Sequence, residues 1–495
     1  MNGAAADDRA PPALLLHAVD LDGRRADVRV IDGRIDEIAP RLSPRAREQV
    51  VDAGGGALLP GLHDHHLHLH ALAARARSIA CGPPDVTTPQ ALAHALRAAA
   101  PAADGWLRGI DYHESVAGEL TRAHLDALVG GTPLRMQHRG GKLWMLNSAA
   151  IARLRLQDWA HLDGVECDAQ GCVTGRLFRL DDWLQARLHE LGGAPGFPDL
   201  GEVSALLARY GITGVTDASV HNDARHLAAF EAAVAGGRLR QRLRMLGSDD
   251  LPRSGHPRIH RGALKVLLDD DDLPDIDALA ARIRRAHAAG RGAAFHCVTR
   301  IELLFALAAL AQARSVPTAG IDGVACDRIE HGGIVPDDAL ALLFASGAHV
   351  VTQQNFIAER GDRYRLDVPA DEQPLLYRLA TLLRAGIPVG GGSDAPYGVP
   401  DPWAAMRAAV TRRCASGALL GEAERVSPER ALALFTSTPS RPGGAPQRLR
   451  PGAVADLCLL DRPWRDARTS LDAGLVAATL VAGEFIHARG QDLRV

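Results

Sequence analysis

Five histidines fall within eight residues of this chain, at His63, His65, His66, His68 and His70, in the stretch LLPGLHDHHLHLH that begins at Leu58. Neutral imidazole is the commonest protein metal ligand near pH 7. Two histidines at i and i+2 on a strand point to the same face, so such a pair can hold one ion. Any of the five is a candidate at this point, and a solvated His-rich loop is the alternative. Four later residues have types that would complete a site: Lys265 in GALKVLLDD, His296 in AAFHCV, His331 in RIEHGG and Asp394 in GGSDAP. Each has a plainer reading. Lys265 reads as a surface charge, His296 as a hydrogen-bonded strand residue, RIEH as a salt-bridged strand end and GSDAP as an Asx-type turn. Together, four nitrogens, an aspartate and a lysine are hard to assemble by accident.

The lysine has a further signal. Of 56 basic residues only Lys142 and Lys265 are lysines; all the others are arginines. A retained lysine suggests a need for an amine that can lose its proton, which arginine does not offer. Chance survival is the alternative.

The elements that would position these residues follow from spacing. Lys265, His296 and His331 follow one another at 31 and 35 residues, and Asp394 comes 63 residues later. Each short step is about one strand-plus-helix unit of roughly 30 residues. The long step is two such units, with AHVVTQQ as the skipped strand. Ala- and Leu-rich helical stretches such as DALAARIRRAHAAG alternate with these apolar runs, which indicates a parallel sheet. In a barrel of such units, catalytic groups sit at the C-terminal strand ends. With His66 and His68 on strand 1, Lys265 falls on strand 4, His296 on 5, His331 on 6 and Asp394 on 8. The gap from 68 to 265 must carry insertions. The stretch 106–197 is Gly-rich and less regular, and reads as long loops over the barrel mouth. Short β segments at 13–59, with turns at Asp22-Gly23 and Asp32-Gly33, resemble those in the last 45 residues, so the two chain ends are expected to pair in one small β-domain.

Composition limits the alternatives. A net charge of −3 predicts no strong pull toward nucleic acid or anionic membrane. No apolar run reaches the roughly 18 residues of a spanning helix. The opening MNGAAADDRAPP does not read as a secretory signal. Seven scattered cysteines, with no CxxC, suggest a reduced, cytoplasmic protein.

At this point the motifs resemble those of the amidohydrolase superfamily, and within it the N-substituted formamide deformylase, YtcJ-like branch. LLPGLHDHHLHL resembles the branch's PG-x-x-D-x-H-x-H element. WLRGIDY, LNSAAI, GRLF and YGITGVTD resemble its intermediate landmarks. LKVLLDD, DRIEHGG and GIPVGGGSDAP with DPWAAMRAAVTR resemble its lysine, histidine and aspartate strands. The resemblance implies a (β/α)8 TIM barrel at about 60–442, with insertions at about 106–197. It also implies a small β-sandwich formed by residues 1–59 and 443–495. It implies that His66 and His68 bind the more buried of two divalent ions, usually zinc, and that His296 and His331 bind the second. Lys265, carboxylated by CO2 to a carbamate, would bridge them. Asp394 would bind the first ion and carry the proton of the hydrolytic water. The D-x-H-x-H register selects His66 and His68, leaves His70 past the strand end, and turns His63 and His65 toward the layer between barrel and helices.

Departures from the branch cluster near the mouth. The branch usually continues its strand-5 histidine as H-A-x-G-D, whereas this chain reads His296-Cys297-Val298-Thr299-Arg300. Arg179 stands where many members have glutamate, and Gly141-Lys142 where several have histidine. Arg179, Arg300 and Lys142 would suit a substrate carrying a carboxylate, with ordinary surface charge as the alternative. Tyr112, Trp144 and Gln353 lie in stretches that reach toward the mouth, with packing or loop hydrogen bonding as the alternative.

The function expected is hydrolysis of a non-peptide C–N bond, in an amide, N-formyl or N-acyl group, by metal-activated hydroxide. A hydrolytic deaminase is the runner-up, but its usual glutamate just behind the strand-5 histidine is missing; the nearest is Glu302. An ester or lactone hydrolase and a catalytically dead binding protein on the same barrel complete the alternatives. The partner is a small-molecule substrate, with no nucleic acid or membrane. Superfamily members are often dimers or tetramers, which makes a homodimer the oligomer to look for, although no stretch marks an interface.

Overall fold

A computed structural model of the chain describes residues 13–83, 85–102, 104–191, 197–314 and 326–490. It divides into two compact units, one built from residues 1–69 and 199–495, the other from residues 70–198.

The larger unit is organised around eight strands: β1 (Leu62–Leu67), β2 (Ile212–Asp217), β3 (Arg242–Gly247), β4 (Ile259–Val266), β5 (Ala293–Cys297), β6 (Arg328–His331), β7 (His349–Thr352) and β8 (Val389–Gly391). They form one sheet in chain order, and every neighbouring pair is parallel. Parallel strands are covered on both faces, which is why β2, β6 and β7 are buried at every position. The ring is nearly closed where β8 reaches β1. There the Asp394 N–H donates to His66 O at 2.8 Å. Gly392 permits the approach, since a Cβ at that position would lie 2.6 Å from His66 Cβ. β7 is the skipped strand that the 63-residue step called for.

Helices return the chain between strands, as in Ile276–Ala288, Arg300–Ala313 and Asp337–Ser346. Arg300–Ala313 starts on a capping box. Thr299 accepts from the Glu302 N–H, and the Glu302 carboxylate accepts from the Thr299 and Val298 N–H groups. No helix among the described residues is long and apolar enough to cross a membrane.

Two four-stranded sheets stand beside the ring in the same unit. One contains Leu14–Leu21, Arg24–Ile31, Arg34–Ala39 and Gln49–Asp52; the other contains Leu58–Pro60, Leu457–Leu460, Val476–Val481 and Glu484–Ala488. Asp22-Gly23 and Asp32-Gly33 each have positive φ at both residues, the geometry of a tight two-residue hairpin. Leu14, Leu16, Val28 and Val30 of the first sheet share a core with Leu457, Leu459 and Leu480 of the second, so the two ends of the chain are packed together.

The first sheet also holds a buried ion pair. Arg29 donates through Nε to Glu48 Oε1 at 2.7 Å, and the two side chains are 3% and 0% exposed. Burial alone would raise the Glu48 carboxyl, but the Arg29 fork and the Arg45 N–H hold it below its usual range. A carboxyl lowered by folding stabilises fully above its unfolded value of about 4.5 and loses that contribution as pH falls through the folded value. Glu48→Ala, which leaves Arg29 with only Glu37 and the Ser43 carbonyl as partners, is expected to cost about 2 kcal/mol at pH 7. Urea denaturation at pH 7 and pH 4 checks this: the difference between wild type and variant should shrink at the lower pH.

The second unit contains a six-stranded sheet, ordered Val165–Cys167, Val173–Phe178, Leu143–Leu146, Leu134–His138, Leu107–Tyr112, Ile79–Ala80. The stretch 106–197 is therefore largely a folded sheet with helices, not a set of long loops. One apolar cluster gathers Leu92, Leu107, Leu134 and Met136; another gathers Trp106, Trp144, Leu146 and Leu177. Leu134–His138 and Leu143–Leu146 bury consecutive positions, so the period-2 alternation that marks a half-buried strand is lost there and these short strands read as irregular.

Candidate metal centre

β1 does not alternate strictly. Its register on β2 runs Gly214–His63, Val215–Asp64 and then Asp217–Leu67, so β1 carries one extra residue at His65-His66. Such a bulge re-aims side chains. His63 Nε2 meets Thr216 Oγ1 at 2.9 Å, and His65 Nε2 meets Ser437 Oγ at 3.1 Å. Both rings are buried, and burial holds both well below the usual histidine value, which keeps them neutral. His70 lies past the strand, in helix Leu69–Ala76, stacked on Phe197. His66 and His68 turn the other way.

The Asp64 carboxylate, which strict alternation would align with His66, instead accepts from the His66 N–H at 3.0 Å and the Ser393 hydroxyl at 2.6 Å. It ties β1 to the segment after β8. Burial pushes this carboxyl up to about 6.

Asp394 stands three residues past β8 with φ of 56°, and His331 ends β6 with φ of 70°. Positive φ is uncommon outside glycine and is often held at functional sites. At β6 it breaks alternation, so Glu330 and His331 both reach the same cluster.

That cluster is compact. Asp394 Oδ1 lies 3.3 Å from His66 Nε2 and 3.2 Å from His68 Nε2. One donor atom from each of the three falls within 4.8 Å of the others. The His66 and His331 rings are 4.9 Å apart, and His331 Nε2 is 3.0 Å from His296 Nδ1. Burial, then the His331 and Lys265 charges, push His296 down to about 2, and burial pushes His331 down to about 4. Both rings are neutral at pH 7, and a neutral imidazole can offer a ring nitrogen to a cation. Asp394 is held well below the carboxylate range: burial opposes this, but hydrogen bonds from His66 and His68 prevail. Lys265 is 3% exposed, and its Nζ has no hydrogen-bond partner. Burial lowers its amine, while Glu330 and Asp394 pull it back up.

A profile of the amidohydrolase family matches residues 49–487. The chain belongs to that family. It is 27% identical over 507 positions to the N-substituted formamide deformylase of Arthrobacter pascens, covering 89% of each chain. It is 24% identical over 439 positions to the putative amidohydrolase YtcJ of Bacillus subtilis, covering 80% of this chain and 81% of that one. These are the relatives to which the motifs pointed. Among solved structures, an uncharacterized metal-dependent hydrolase of Pyrococcus horikoshii superposes with a TM-score of 0.72 at 17% identity, over 96% of this chain and 100% of that one.

In this amidohydrolase, His66, His68, Lys265, His296, His331 and Asp394 all come together. So does Gln353, whose Oε1 lies 2.8 Å from His331 Nδ1. Arg300 does not: it is exposed on its helix and pairs with Asp338 at 2.9 Å. Glu302, the nearest glutamate to His296, is taken up by its helix cap. Tyr112, Trp144 and Arg179 lie in the second unit. The Tyr112 hydroxyl donates to Gly118 O at 2.5 Å, and Trp144 Nε1 donates to Asp181 at 2.7 Å. Both rings are buried in that unit's apolar clusters, and Arg179 is exposed.

Sequence reasoning passed over Glu330 and Ser219. Glu330 Oε2 is 2.5 Å from His66 Nδ1, and Ser219 Oγ is 3.0 Å from His68 Nδ1. The RIEH motif carried the signal for Glu330, since its salt bridge to Arg328 exists at 2.7 Å. The second bond, to a histidine 264 positions away, carries no local signature.

Proposed function

We propose that this chain is a metal-dependent hydrolase of a non-peptide C–N bond, in an amide, N-formyl or N-acyl group. The observation that carries the reading is Lys265, a buried amine without a hydrogen-bond partner, in a cluster with His66, His68, His296, His331 and the buried Asp394 carboxylate. Its surroundings suit a binuclear centre. His66, His68 and Asp394 would hold one divalent ion, and His296 and His331 the other. Nitrogen-rich donors of this kind suit zinc. Lys265 would supply the anionic bridge. Its neutral amine adds to CO2, forming one N–C bond and releasing one proton, and the carbamate offers two oxygens. The type of bond cleaved is suggested by the named deformylase relative.

When bound, such ions lower the pKa of water to about 7 and polarise a substrate carbonyl. The protein's own residues do the rest. Asp394 takes a proton at Oδ1 and returns it to the leaving amine. Ser219 and Gln353 fix the His68 and His331 rings from behind. The two small sheets would form the β-sandwich, and seven unpaired cysteines agree with a reducing, cytoplasmic compartment. The deaminase alternative loses its glutamate, because Glu302 is committed to the helix cap.

Elemental analysis of purified protein, with a screen of N-formyl, N-acyl and cyclic amides, tests this. Two zinc ions per chain and amine release are expected. One ion per chain with an active Lys265→Ala variant would favour a deaminase, and no bound metal would end the proposal. Metal removal should also be visible in stability. An ion present at 100 times its Kd adds about 2.7 kcal/mol. Chelation should lower the melting temperature, and zinc should restore it.

A further inference from the structure

Three histidines of the cluster are held through Nδ1, and their partners differ in kind. His68 meets a hydroxyl and His331 a side-chain amide, whereas His66 meets the carboxylate of Glu330 at 2.5 Å. That carboxylate is itself clamped. Arg328 donates through Nε to Glu330 Oε1 at 2.7 Å and through Nη2 to Oε2 at 3.1 Å. The same Nη2 donates to the backbone oxygen of His65 at 2.7 Å, one residue before His66 in the bulge. His66, Arg328 and Glu330 are 1%, 2% and 0% exposed, so water does not compete for these bonds.

The chemistry of this chain of contacts is directional. A carboxylate can only accept, so the hydrogen between it and His66 sits on Nδ1. Nε2 is then the nitrogen that faces Asp394, 3.3 Å from Oδ1, and the one that would exchange its proton for an ion. A charged partner at this distance makes a stronger bond than a neutral one and increases the basicity of the opposite nitrogen. The arginine keeps the carboxylate from swinging to Lys265 and anchors it to the strand that bears the histidine.

We propose that Arg328 and Glu330 form a positioning clamp that fixes the orientation of His66 and sets the affinity of the ion held by His66, His68 and Asp394. The inference rests on the metal reading above and assigns Glu330 no contact with substrate. It also ranks the two ions: the one served by a charged partner is the tighter.

The test is zinc affinity of metal-free protein, measured by competition with a chromophoric chelator. Glu330→Gln keeps the shape and removes the charge. Its affinity for the tighter ion should fall roughly ten- to hundred-fold, while affinity for the weaker ion changes less. Arg328→Lys keeps the charge and loses the fork; a smaller loss at the same ion is expected, and this variant decides the matter if Glu330→Gln does not fold. Glu48→Gln disturbs a buried ion pair remote in sequence and outside the cluster, and should leave zinc affinity unchanged, separating positioning from loss of stability. A Glu330→Gln affinity within twofold of wild type overturns the clamp and leaves the metal reading standing. Wild-type protein that takes up no zinc overturns both, and this is read without any variant.

Discussion

Asp394→Asn should reduce kcat on any amide substrate found for this protein by about 10³-fold, in line with the loss of a positioned proton carrier. The side chain is 10% exposed, and its Oδ1 is within 3.3 Å of the Nε2 atoms of both His66 and His68. Asparagine preserves the size and can accept one hydrogen bond, but it neither carries a proton away nor balances a cation. The backbone turn at φ of 56° tolerates asparagine as well as aspartate, so folding should survive. Steady-state kinetics alongside circular dichroism check both halves. A variant that keeps more than a tenth of wild-type kcat would remove Asp394 from the proton path.

Lys265→Met should separate activity from stability in opposite directions. Loss of the anionic bridge is expected to reduce metal content from two ions to one and kcat by about 10²-fold, the usual cost of a lost electrostatic stabiliser. Yet the metal-free variant should be at least as stable as metal-free wild type. Nζ has no hydrogen-bond partner in its buried position, and exchanging such a group for an apolar one of similar length relieves desolvation. Metal analysis and denaturation of the metal-free proteins give the two readouts. A metal-free variant markedly less stable than wild type would mean that the amine has a structural partner.

The spacing of polar residues made the ring and most of its cluster legible. Lys265, His296 and His331 lie on β4, β5 and β6 because a strand-plus-helix unit has a narrow length range, and the longer step to Asp394 marks β7. What escaped was set by single backbone angles and long-range contacts. The bulge at His65-His66 changed the direction of Asp64, and a positive φ at His331 turned that ring to the face where Glu330, in register with His296, already points. Neither is encoded by composition or by a glycine. Arg300 looked like a mouth residue because it follows His296 closely, but the Thr299 cap begins a helix there and directs its side chain to Asp338.

The seam between β1 and β8 has a consequence for the order of assembly. His68 and Asp394 meet across it although 326 positions separate them in the chain. Joining such distant segments incurs the largest loop-closure entropy, and long-range pairings of this kind are slow to form. The first strand is synthesised early and must wait for the last before its histidines gain their carboxylate. A nascent or half-folded chain thus has no complete three-donor pocket with which to capture a cation, and loading is postponed until the ring has shut.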